Sequence, residues 1–492
     1  MPTQRTKIVV IGGGTGLTTA WALEKQDEFE VTLVEASHRL GGHIHTITTP
    51  DGYILEGGAE FIGLPASYPK VNTLMKHFGV QFQTFDLNTV LINTQSKEHI
   101  MLPPYSGKTD CCCSCFGFFS NRHNTPQDAL HVDWFNALKN ITNLLDLHEL
   151  IQQAKEKLLH PDEVLTVEAF AEWFIKNDDH LINMEKRTFV NTILYPLLSA
   201  AWGVELHDMK EFCAHYALNY LALGQQWQDA KNGLSTCYSN MAKACTKTNF
   251  VMGSPVAKLE TVQVGAADAP VNQYKVRLTN GNYILDHENN IALFDHVVLT
   301  TPANVTKDII SDLDDPQMRL LKEKLSAVNY YHTQLVFHRD TRYLFSPTPE
   351  NDRVLHIHYN GKQAANTATK YWKYKKGEVP IMKTWILPGQ EEPDPKTVVH
   401  RVEYFHPHMK RPYYEAQHVL HNLQGQHGIY FGGILAGFND SHESATTVAL
   451  DIAHRICAIA SIASNERLAL FKAHENSSQL RVTSMTDVSF TI

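Results

Sequence analysis

The sequence lacks an apolar run of the roughly 20 residues that a membrane-spanning helix needs. The most apolar helical stretch, residues 450–463, is interrupted by Asp451, His454 and Arg455. The N-terminal residues also lack the apolar core of a secretory signal and lead directly into a strand pattern. We therefore predict a cytoplasmic protein without a transmembrane segment.

An excess of positive charge is also absent. The 492 residues include 43 Lys and Arg against 52 Asp and Glu, a formal net charge of −9. Proteins that hold nucleic acid mainly by neutralising phosphates need a basic surface, so we predict no nucleic-acid partner. At roughly 100–200 residues per domain, the length predicts two or three domains and a core large enough to enclose a sizeable ligand.

Cysteines are few, and half of the eight are crowded at Cys111, Cys112, Cys113 and Cys115. This spacing suits neither a disulfide framework nor a tetrahedral zinc site, and we predict no metal site. Residues 111–119 are interpreted as a turn in an insertion. The alternatives are a lipidated loop that contacts a membrane and a redox or metal-binding role.

The first 35 residues have the pattern of a βαβ unit. The apolar run 7–11 is typical of a buried parallel strand, residues 17–25 favour a helix, and residues 30–35 favour a second strand ending at Glu35. The turn after the first strand consists of Gly12, Gly13, Gly14, Thr15 and Gly16. Such glycines let the backbone approach a pyrophosphate, and a carboxylate about 20 residues later binds a ribose diol. The unit predicts dinucleotide binding without separating NAD from FAD.

The residues after Glu35 separate these two cofactors. The strand continues into Ala36, Ser37, His38, Arg39, Leu40, Gly41, Gly42 and His43. A second turn consists of Glu56, Gly57, Gly58, Ala59, Glu60 and Phe61. This order resembles the flavin-containing amine oxidase superfamily, whose second strand ends in Glu and continues into an Arg-x-Gly-Gly-Arg turn along the FAD pyrophosphate. The resemblance implies FAD as the cofactor.

Later segments extend the resemblance over most of the chain. Residues 294–302 resemble the family strand that ends in a proline turn, and Val256 lies where a backbone group meets the adenine. Residues 428–433 and 441–445 resemble the strand, turn and helix that close over the flavin. Residues 404–407, with the pair at 442 and 443, are most similar to a branch of predicted NAD/FAD-binding oxidoreductases.

The resemblance assigns FAD binding to Gly12, Gly14, Thr15, Gly16, Glu35, Ala36, Arg39, Gly41, Gly42, His43, Gly58, Ala59, Glu60, Phe61, Val256, Gly433, His442, Glu443, Ser444 and Ala445. The last helix has a physical interpretation of its own. Asp440 or Ser441 is a good N-cap, and a helix N-terminus favours the negative charge of a reduced flavin. The alternative is an ordinary capped helix, with Glu443 as the capping-box partner of Asp440.

The fold class that follows is α/β. We predict a Rossmann-like FAD-binding domain of the amine oxidase and glutathione reductase kind, and a discontinuous α+β substrate domain. The FAD-binding domain is assigned to residues 1–75, 226–312 and 425–465. The substrate domain is assigned to residues 76–225, with helical patterns at 134–158, 167–176, 185–200 and 209–223, and to 313–424, with an antiparallel sheet. Residues 466–492 are interpreted as a C-terminal tail.

Four positions depart from the family pattern. The third glycine position holds Leu17, His43 replaces the second Arg, and Ile434 replaces an Asp or Glu that bonds the ribityl chain. The strand 331–337 lacks the Lys that is water-bridged to flavin N5, and His332, Thr333 or Gln334 takes its place. These departures keep open a degraded fold that holds FAD structurally or no longer binds it.

The catalytic candidates are His332, Thr333, Tyr404, His406 and His442. An aromatic substrate pocket is a further hypothesis, with core packing as its alternative, for Tyr330, Tyr331, Tyr404, Tyr430 and Phe438. The resemblance implies hydride transfer from a substrate C–H bond to flavin N5, with reoxidation by oxygen or another acceptor. A small-molecule amine is the first substrate class. Desaturation or dehydrogenation of a non-amine substrate is the alternative, because the Lys is missing.

Overall fold

The computed structural model describes residues 5–24, 26–102, 165–176, 183–221, 226–265, 271–344, 354–437 and 439–460. The predictions for residues 111–119, 134–158 and 466–492 lie outside the described residues. Within the described ranges, no helix combines the length and apolar composition that crossing a bilayer requires.

The described strands are β1 (Thr6–Ile11), β2 (Phe29–Val34), β3 (Thr46–Thr48), β4 (Ile54–Glu56), β5 (Ile62–Gly63), β6 (Phe82–Asp86), β7 (Thr89–Asn93), β8 (His99–Leu102), β9 (Gln226–Ala230), β10 (Asn249–Val251), β11 (Val256–Val264), β12 (Val271–Leu278), β13 (His296–Leu299), β14 (Tyr330–His338), β15 (Leu355–Tyr359), β16 (Ala364–Thr369), β17 (Met382–Ile386), β18 (Val398–Pro407) and β19 (Ile429–Phe431).

The described α-helices are α1 (Gly16–Glu24), α2 (Pro69–His77), α3 (Val167–Lys176), α4 (Asn183–Phe189), α5 (Tyr195–Trp202), α6 (Leu206–Lys210), α7 (Ala214–Leu221), α8 (Ser235–Ala244), α9 (Ala303–Ile309), α10 (Pro316–Ser326), α11 (Arg411–Asn422) and α12 (His442–Ile459). A π-helical turn, Val190–Leu194, joins α4 to α5. Short 3-10 turns lie at Thr341–Tyr343, Tyr371–Lys373, Pro395–Thr397 and Gln426–Gly428.

A five-stranded parallel sheet has the order β10-β2-β1-β13-β19. Its central strand β1 is apolar and buried from Ile8 to Ile11, as expected for a parallel strand covered on both faces. Helix α1 packs against α12, and the Thr19 hydroxyl donates to the Ala449 carbonyl at 2.9 Å. This sheet confirms the predicted Rossmann-like fold.

A seven-stranded sheet has the order β18-β14-β17-β16-β15-β7-β8. All pairings among the strands of residues 330–407 are antiparallel, which confirms the antiparallel sheet predicted for that stretch. Strand β15 also pairs in parallel with β7, so the complete seven-stranded sheet is mixed. The small and polar residues of strand β16, AANTAT, are all buried and show no alternation between two faces, so hydrophobic periodicity does not reveal this strand.

The helix predicted at residues 209–223 is interrupted between α6 and α7. The amide of Cys213 donates to the carbonyl of Met409 at 3.0 Å, and Thr166 forms a bridge with Cys213. A backbone amide engaged by a distant segment cannot continue the helical ladder. The break therefore depends on tertiary contacts that periodicity does not reveal.

Strand β9 joins a three-stranded sheet of order β5-β9-β6. Strand β6 lies in the unit 76–225 of the predicted division, whereas β9 lies in 226–312. The pairing of β6 with β9 therefore joins segments that the prediction places in different domains. The domain limits stay predictions.

A cluster of buried charges joins the three-stranded sheet, the seven-stranded sheet and the turn that contains Glu60. Asp229 on β9 is 1% exposed, and its carboxylate oxygens lie 2.7 Å from Lys370 Nζ and 3.0 Å from Lys373 Nζ. Glu60 lies 3.4 Å from Lys370 Nζ and 3.3 Å from Lys383 Nζ. Burial opposes ionisation of Asp229, but the charges of Lys370 and Lys373 outweigh it and hold the pKa of the carboxyl below its ordinary value.

Replacing the central carboxylate tests the importance of this cluster. Asp229→Asn should lower the free energy of unfolding by about 3–5 kcal/mol, because breaking a buried ion pair leaves an uncompensated charge. Urea denaturation at pH 7 measures the loss. Asp27→Asn is the matched control: its partner Lys247 is 2.7 Å away, but both side chains are exposed, so its loss should be much smaller than that of Asp229→Asn. Equal losses in the two variants would contradict the prediction.

Candidate active site

The glycine-rich turn after β1 packs closely against its neighbours, although the spacing of its glycines departs from the family pattern. Gly12 has a φ of 107°, which other residues rarely adopt. A Cβ on Gly16 would lie 2.8 Å from both Val10 Cγ1 and Thr300 Oγ1. Helix α1 begins at Gly16. This glycine therefore provides the close helix–strand packing, one residue before Leu17, which occupies the third glycine position of the family pattern.

The two cofactor turns lie against each other. The amide of Gly41 donates to the carbonyl of Gly13 at 2.8 Å, and a Cβ on Gly42 would lie 3.4 Å from the Cα of Gly14. No hydrogen bond within the described chain uses the amides of Gly14 or Thr15. A cradle without side chains at the N-terminus of α1 fits the FAD pyrophosphate.

Glu35 ends β2 beside this cradle. Its Oε2 accepts from the amide of Gly13 at 2.6 Å, and its Oε1 accepts from the amide of Ser37 at 2.8 Å. A carboxylate has further acceptor positions, so ribose hydroxyls can still bind there. Ala36 is exposed next to it, and Val256 is half-buried at the start of β11.

Arg39 stabilises its own turn. Its guanidinium donates to the carbonyls of Gly42 at 2.7 Å and Ile44 at 3.2 Å. Gly433, with a φ of 74°, lies at the carboxyl end of the sheet, where a Cβ would be 3.1 Å from the Thr300 carbonyl. Both residues therefore shape the backbone around the cradle.

The second turn approaches His43 through its backbone. The amide of Ala59 donates to the His43 carbonyl at 3.0 Å, and a Cβ on Gly58 would lie 1.8 Å from the same oxygen. The side chain of Glu60 belongs to the buried charge cluster, and Phe61 packs against Phe85 at 4.8 Å. The side chains of Glu60 and Phe61, which the resemblance assigned to FAD, therefore point to the domain junction.

Helix α12 begins with a cap that differs from both interpretations of Glu443. Ser441 is the N-cap, and its hydroxyl accepts from the amide of Ser444 at 3.1 Å. Glu443 instead accepts from the amides of Lys70 at 3.0 Å and Val71 at 2.8 Å, at the start of α2. Both oxygens of Glu443 are thus engaged by another helix, so the capping box does not form, and the assignment of Glu443 to FAD stays a prediction.

Three further residues of this helix are enclosed. His442 Nε2 lies 2.8 Å from the Tyr238 hydroxyl, and its Nδ1 is buried without a partner in the described residues. Burial lowers the pKa of His442 to about 4. Ser444 and Ala445 are fully buried, and Ser444 Oγ accepts from the amide of Asn439 at 3.2 Å. The orphaned Nδ1 is a polar atom with which a ligand can form a hydrogen bond.

Three of the predicted catalytic residues, Thr333, Tyr404 and His406, lie on one face of the seven-stranded sheet, beside the cofactor turn. Tyr331 pairs with His406 and Thr333 with Tyr404 across β14 and β18, and cross-strand partners share a face. The ring of His43 lies 4.9 Å from that of Tyr404 and 5.3 Å from that of His406.

His332 lies on the opposite face of the same sheet. Its side chain is 47% exposed, and its Nε2 lies 3.4 Å from Glu403 Oε2. Because side chains alternate along a strand, Thr333 faces the site instead and is 1% exposed, with no partner for its hydroxyl in the described chain. His332 is therefore removed from the site by the register of β14.

The aromatic candidates separate into pocket and core. Tyr430 is fully buried in the core of the parallel sheet, and Tyr330 accepts from the amide of Ala303 at 2.7 Å. Phe438 lies outside the described residues. Tyr331 lies 5.8 Å from the ring of His406, so Tyr331 and Tyr404 remain at the site.

The imidazoles at the site are neutral at pH 7. Burial, aided by the charges of His43 and Lys383, lowers the pKa of His406 to about 3. Burial and then Arg39 lower the pKa of His43. Neutral imidazoles accept hydrogen bonds and protons but carry no charge for a substrate. Within the described residues, no three His, Cys, Asp or Glu side chains are arranged to hold a metal ion.

Lys383 was not among the predicted site residues, because the resemblance implies a lysine on the strand that corresponds to β14. Lys383 lies opposite Phe337 on the neighbouring strand β17, and its Nζ donates to the Gly58 carbonyl at 2.9 Å. Burial lowers its pKa, against the opposing charge of Glu60. The sequence feature that indicates a buried lysine here is the position of Lys383 in the middle of the apolar run 380–387.

Removing the side chain of Glu443 tests whether it stabilises the protein by accepting hydrogen bonds from the amides at the start of α2. Glu443→Ala should lower the free energy of unfolding by about 1–3 kcal/mol, since two buried amides lose their acceptor. Affinity for FAD, measured by flavin fluorescence titration, should stay within about twofold. Glu443→Gln keeps one acceptor and should recover part of the stability. A stable variant that no longer binds FAD would contradict this role.

Acidification should destabilise the protein through its buried histidines. The pKa of His406 is lower in the folded than in the unfolded state, so the stability it contributes is complete above about pH 6.5 and is lost as the pH falls toward 3. Between pH 6.5 and 5 the loss is about 2 kcal/mol. Urea unfolding at both pH values should show a shallower dependence for His406→Phe. An equal dependence of stability on pH in the wild type and in His406→Phe would contradict the conclusion that His406 is held in its neutral form.

Comparison with known proteins places the chain in a family. Residues 15–338 match the family model of flavin containing amine oxidoreductases. Coproporphyrinogen III oxidase of Bacillus subtilis (strain 168) is 43% identical over 81 residues, which is 15% of this chain and 16% of that relative. The chain thus matches only a small part of that protein.

Solved structures share the fold. The fatty acid isomerase from P. acnes that produces CLA has a TM-score of 0.59 at 14% identity, covering 92% of this chain and 98% of that chain. Cyclohexylamine oxidase from Brevibacterium oxydans IH-35A has a TM-score of 0.57 at 15% identity, covering 92% and 99%. The cradle fits FAD, the cofactor of the matching family. The chain therefore belongs to the flavin-containing amine oxidoreductase family and is an FAD-dependent oxidoreductase.

Proposed function

We propose that this enzyme oxidises a small-molecule amine at a C–H bond held beside His43, Tyr404 and His406. Bound FAD supplies the hydride acceptor. The observation that carries the proposal is the contact of His43, in the cofactor turn, with both Tyr404 and His406. The cytoplasmic location predicted from the sequence remains part of this proposal.

The residues of the pocket orient the substrate and favour its reactive form. Enclosure by aromatic rings and neutral imidazoles disfavours a charged ammonium, so the amine binds with its lone pair free. That lone pair assists the departure of hydride from the adjacent carbon. The orphaned Nδ1 of His442 and the Thr333 hydroxyl, which have no partner in the described chain, are free to form hydrogen bonds that orient the amine.

A second candidate is dehydrogenation of a non-amine substrate. Thr333, which is uncharged, faces the site where the resemblance implies a lysine. The similar proteins named as a coproporphyrinogen oxidase and a fatty acid isomerase also favour this alternative. Amine oxidation releases an aldehyde and peroxide, whereas a desaturation releases no aldehyde or ammonia.

The visible spectrum of the purified protein and anaerobic addition of amines test the proposal. We expect flavin absorbance, release of free FAD on acid denaturation, bleaching by an amine, and aldehyde and peroxide in equal amounts when air returns. Bleaching by a non-amine alone would support the second candidate. A colourless protein that does not bind added FAD would overturn both.

Thr333 offers a local test of the same pocket. Thr333→Val should lower kcat/KM for the amine about tenfold, equivalent to one hydrogen bond, without loss of FAD or thermal stability, because the hydroxyl has no partner in the described chain. Thr369→Val is the matched control, since Thr369 on β16 is also buried with an unpartnered hydroxyl. A similar loss of activity in both variants would contradict the role of Thr333.

A further inference from the structure

We propose that Tyr404 and His45 form a proton relay that takes the ammonium proton of the bound amine and passes it to solvent. The substrate nitrogen gives its proton to Tyr404 Oη while the Tyr404 hydroxyl proton moves to His45 Nδ1. The results are an uncharged amine, an unchanged tyrosine and a His45 imidazolium, which then releases one proton to water. This inference rests on the proposed function and names the residues that prepare its substrate.

The proposed reaction requires such a step. A small alkylamine resembles the lysine side chain, whose pKa is about 10, and is therefore protonated in solution at pH 7. Hydride departs from the adjacent carbon only when the nitrogen lone pair is free. A pocket of neutral side chains disfavours the ammonium form, so the proton must leave as the amine binds.

Separate parts of the fold hold Tyr404 and His45 in contact. The Tyr404 hydroxyl lies 3.4 Å from His45 Nδ1. Tyr404 is fixed by the pairing of β18 with Thr333 on β14, and the His45 carbonyl accepts from the amide of Gly57 at 2.7 Å. A Cβ on Gly57 would lie 3.2 Å from His45 Nδ1, so glycine at this position leaves room for the imidazole. The fold thus places a proton acceptor at the hydroxyl of a pocket residue.

The pair leads from the enclosed pocket toward solvent. The ring of Tyr404 packs edge-on against that of His43 at 4.9 Å, on the pocket side. His45, on the other side of the Tyr404 hydroxyl, is only partly buried. A proton accepted at His45 can therefore reach water without crossing the pocket.

The imidazoles beside Tyr404 in the pocket do not retain the proton. Burial lowers the pKa of His406 to about 3. Burial, and then the charge of Arg39, also lower the pKa of His43. Both rings stay neutral at pH 7, so an acceptor nearer to solvent is needed.

The charges around the pair suit its proposed role. Burial, followed by the charges of Arg39 and His400, lowers the pKa of His45, which is neutral at pH 7 and able to accept a proton. Burial raises the pKa of Tyr404, with Arg39 and Glu56 acting in opposite directions. Tyr404 therefore keeps its hydroxyl proton between transfers, and a hydroxyl can accept one proton while it donates another.

The test is the rate of anaerobic flavin reduction by butylamine and by benzylamine, measured from about pH 6 to about pH 10 on the FAD-loaded enzyme. In Tyr404→Phe and His45→Gln the rate at pH 7 should fall at least about tenfold. It should return to within about threefold of the wild type near pH 10, where the free amine is already uncharged. A merely structural role would lower the rate equally at every pH. His287→Gln, an exposed histidine between β12 and β13, is the matched control and should leave the pH profile unchanged.

Added imidazole provides a second readout. His45→Ala opens space beside the Tyr404 hydroxyl, so imidazole in the buffer should raise the rate of this variant at pH 7 at least about threefold. It should have no effect on the wild type or on Tyr404→Phe. Recovery by a free base reports proton transfer, which a change in folding does not imitate.

The outcomes separate the relay from the proposed function. Normal amine oxidation with unchanged pH profiles in Tyr404→Phe and His45→Gln would overturn the relay and leave the proposed function intact. A wild-type flavin that no amine reduces would reject both. If neither His45 variant folds with FAD, the pH profile of Tyr404→Phe decides the question alone.

Discussion

The buried charges at the domain junction constrain much of the structure around the site. Asp229 lies in the three-stranded sheet, Lys370 and Lys383 in the seven-stranded sheet, and Glu60 in the second cofactor turn. Separating such charges leaves them uncompensated in a medium of low polarity, so the three elements must stay together. Lys383 also holds the Gly58 carbonyl, and the cofactor turn is thereby placed against the substrate sheet.

Two kinds of environment meet at this junction. On the nucleotide-binding side, glycines leave backbone amides uncovered by side chains, and Glu35 provides a carboxylate beside them. On the substrate side, the rings of Tyr404 and His406 are neutral and enclosed. Backbone and charge suit a phosphate-containing cofactor, and an uncharged pocket suits a reacting group that must lose its proton. This difference arises because the nucleotide-binding side presents backbone amides and a carboxylate, whereas the seven-stranded sheet presents neutral side chains.

Helix α12 shows how one element can serve several purposes. Ser441 caps the helix, Glu443 satisfies the amides of α2, and His442 faces Tyr238. Asp440, just before the cap, lies beside Trp202. Because neighbouring residues at a helix start point in different directions, adjacent side chains reach the core, another helix and the proposed substrate pocket.

The sequence by itself determined the parallel sheet, the glycine turn and Glu35, because local spacing encodes the strand–turn–helix unit that surrounds a pyrophosphate. The choice of FAD came from the resemblance of the following residues to the flavin-containing amine oxidase superfamily. It also proposed Tyr404 and His406 as catalytic residues, and their rings lie beside that of His43 in the cofactor turn. The tertiary structure decided the face of His332, the partners of Glu443 and the positions of Lys383 and Asp440. Those depend on strand register and on contacts between residues far apart in the chain, which local patterns do not encode.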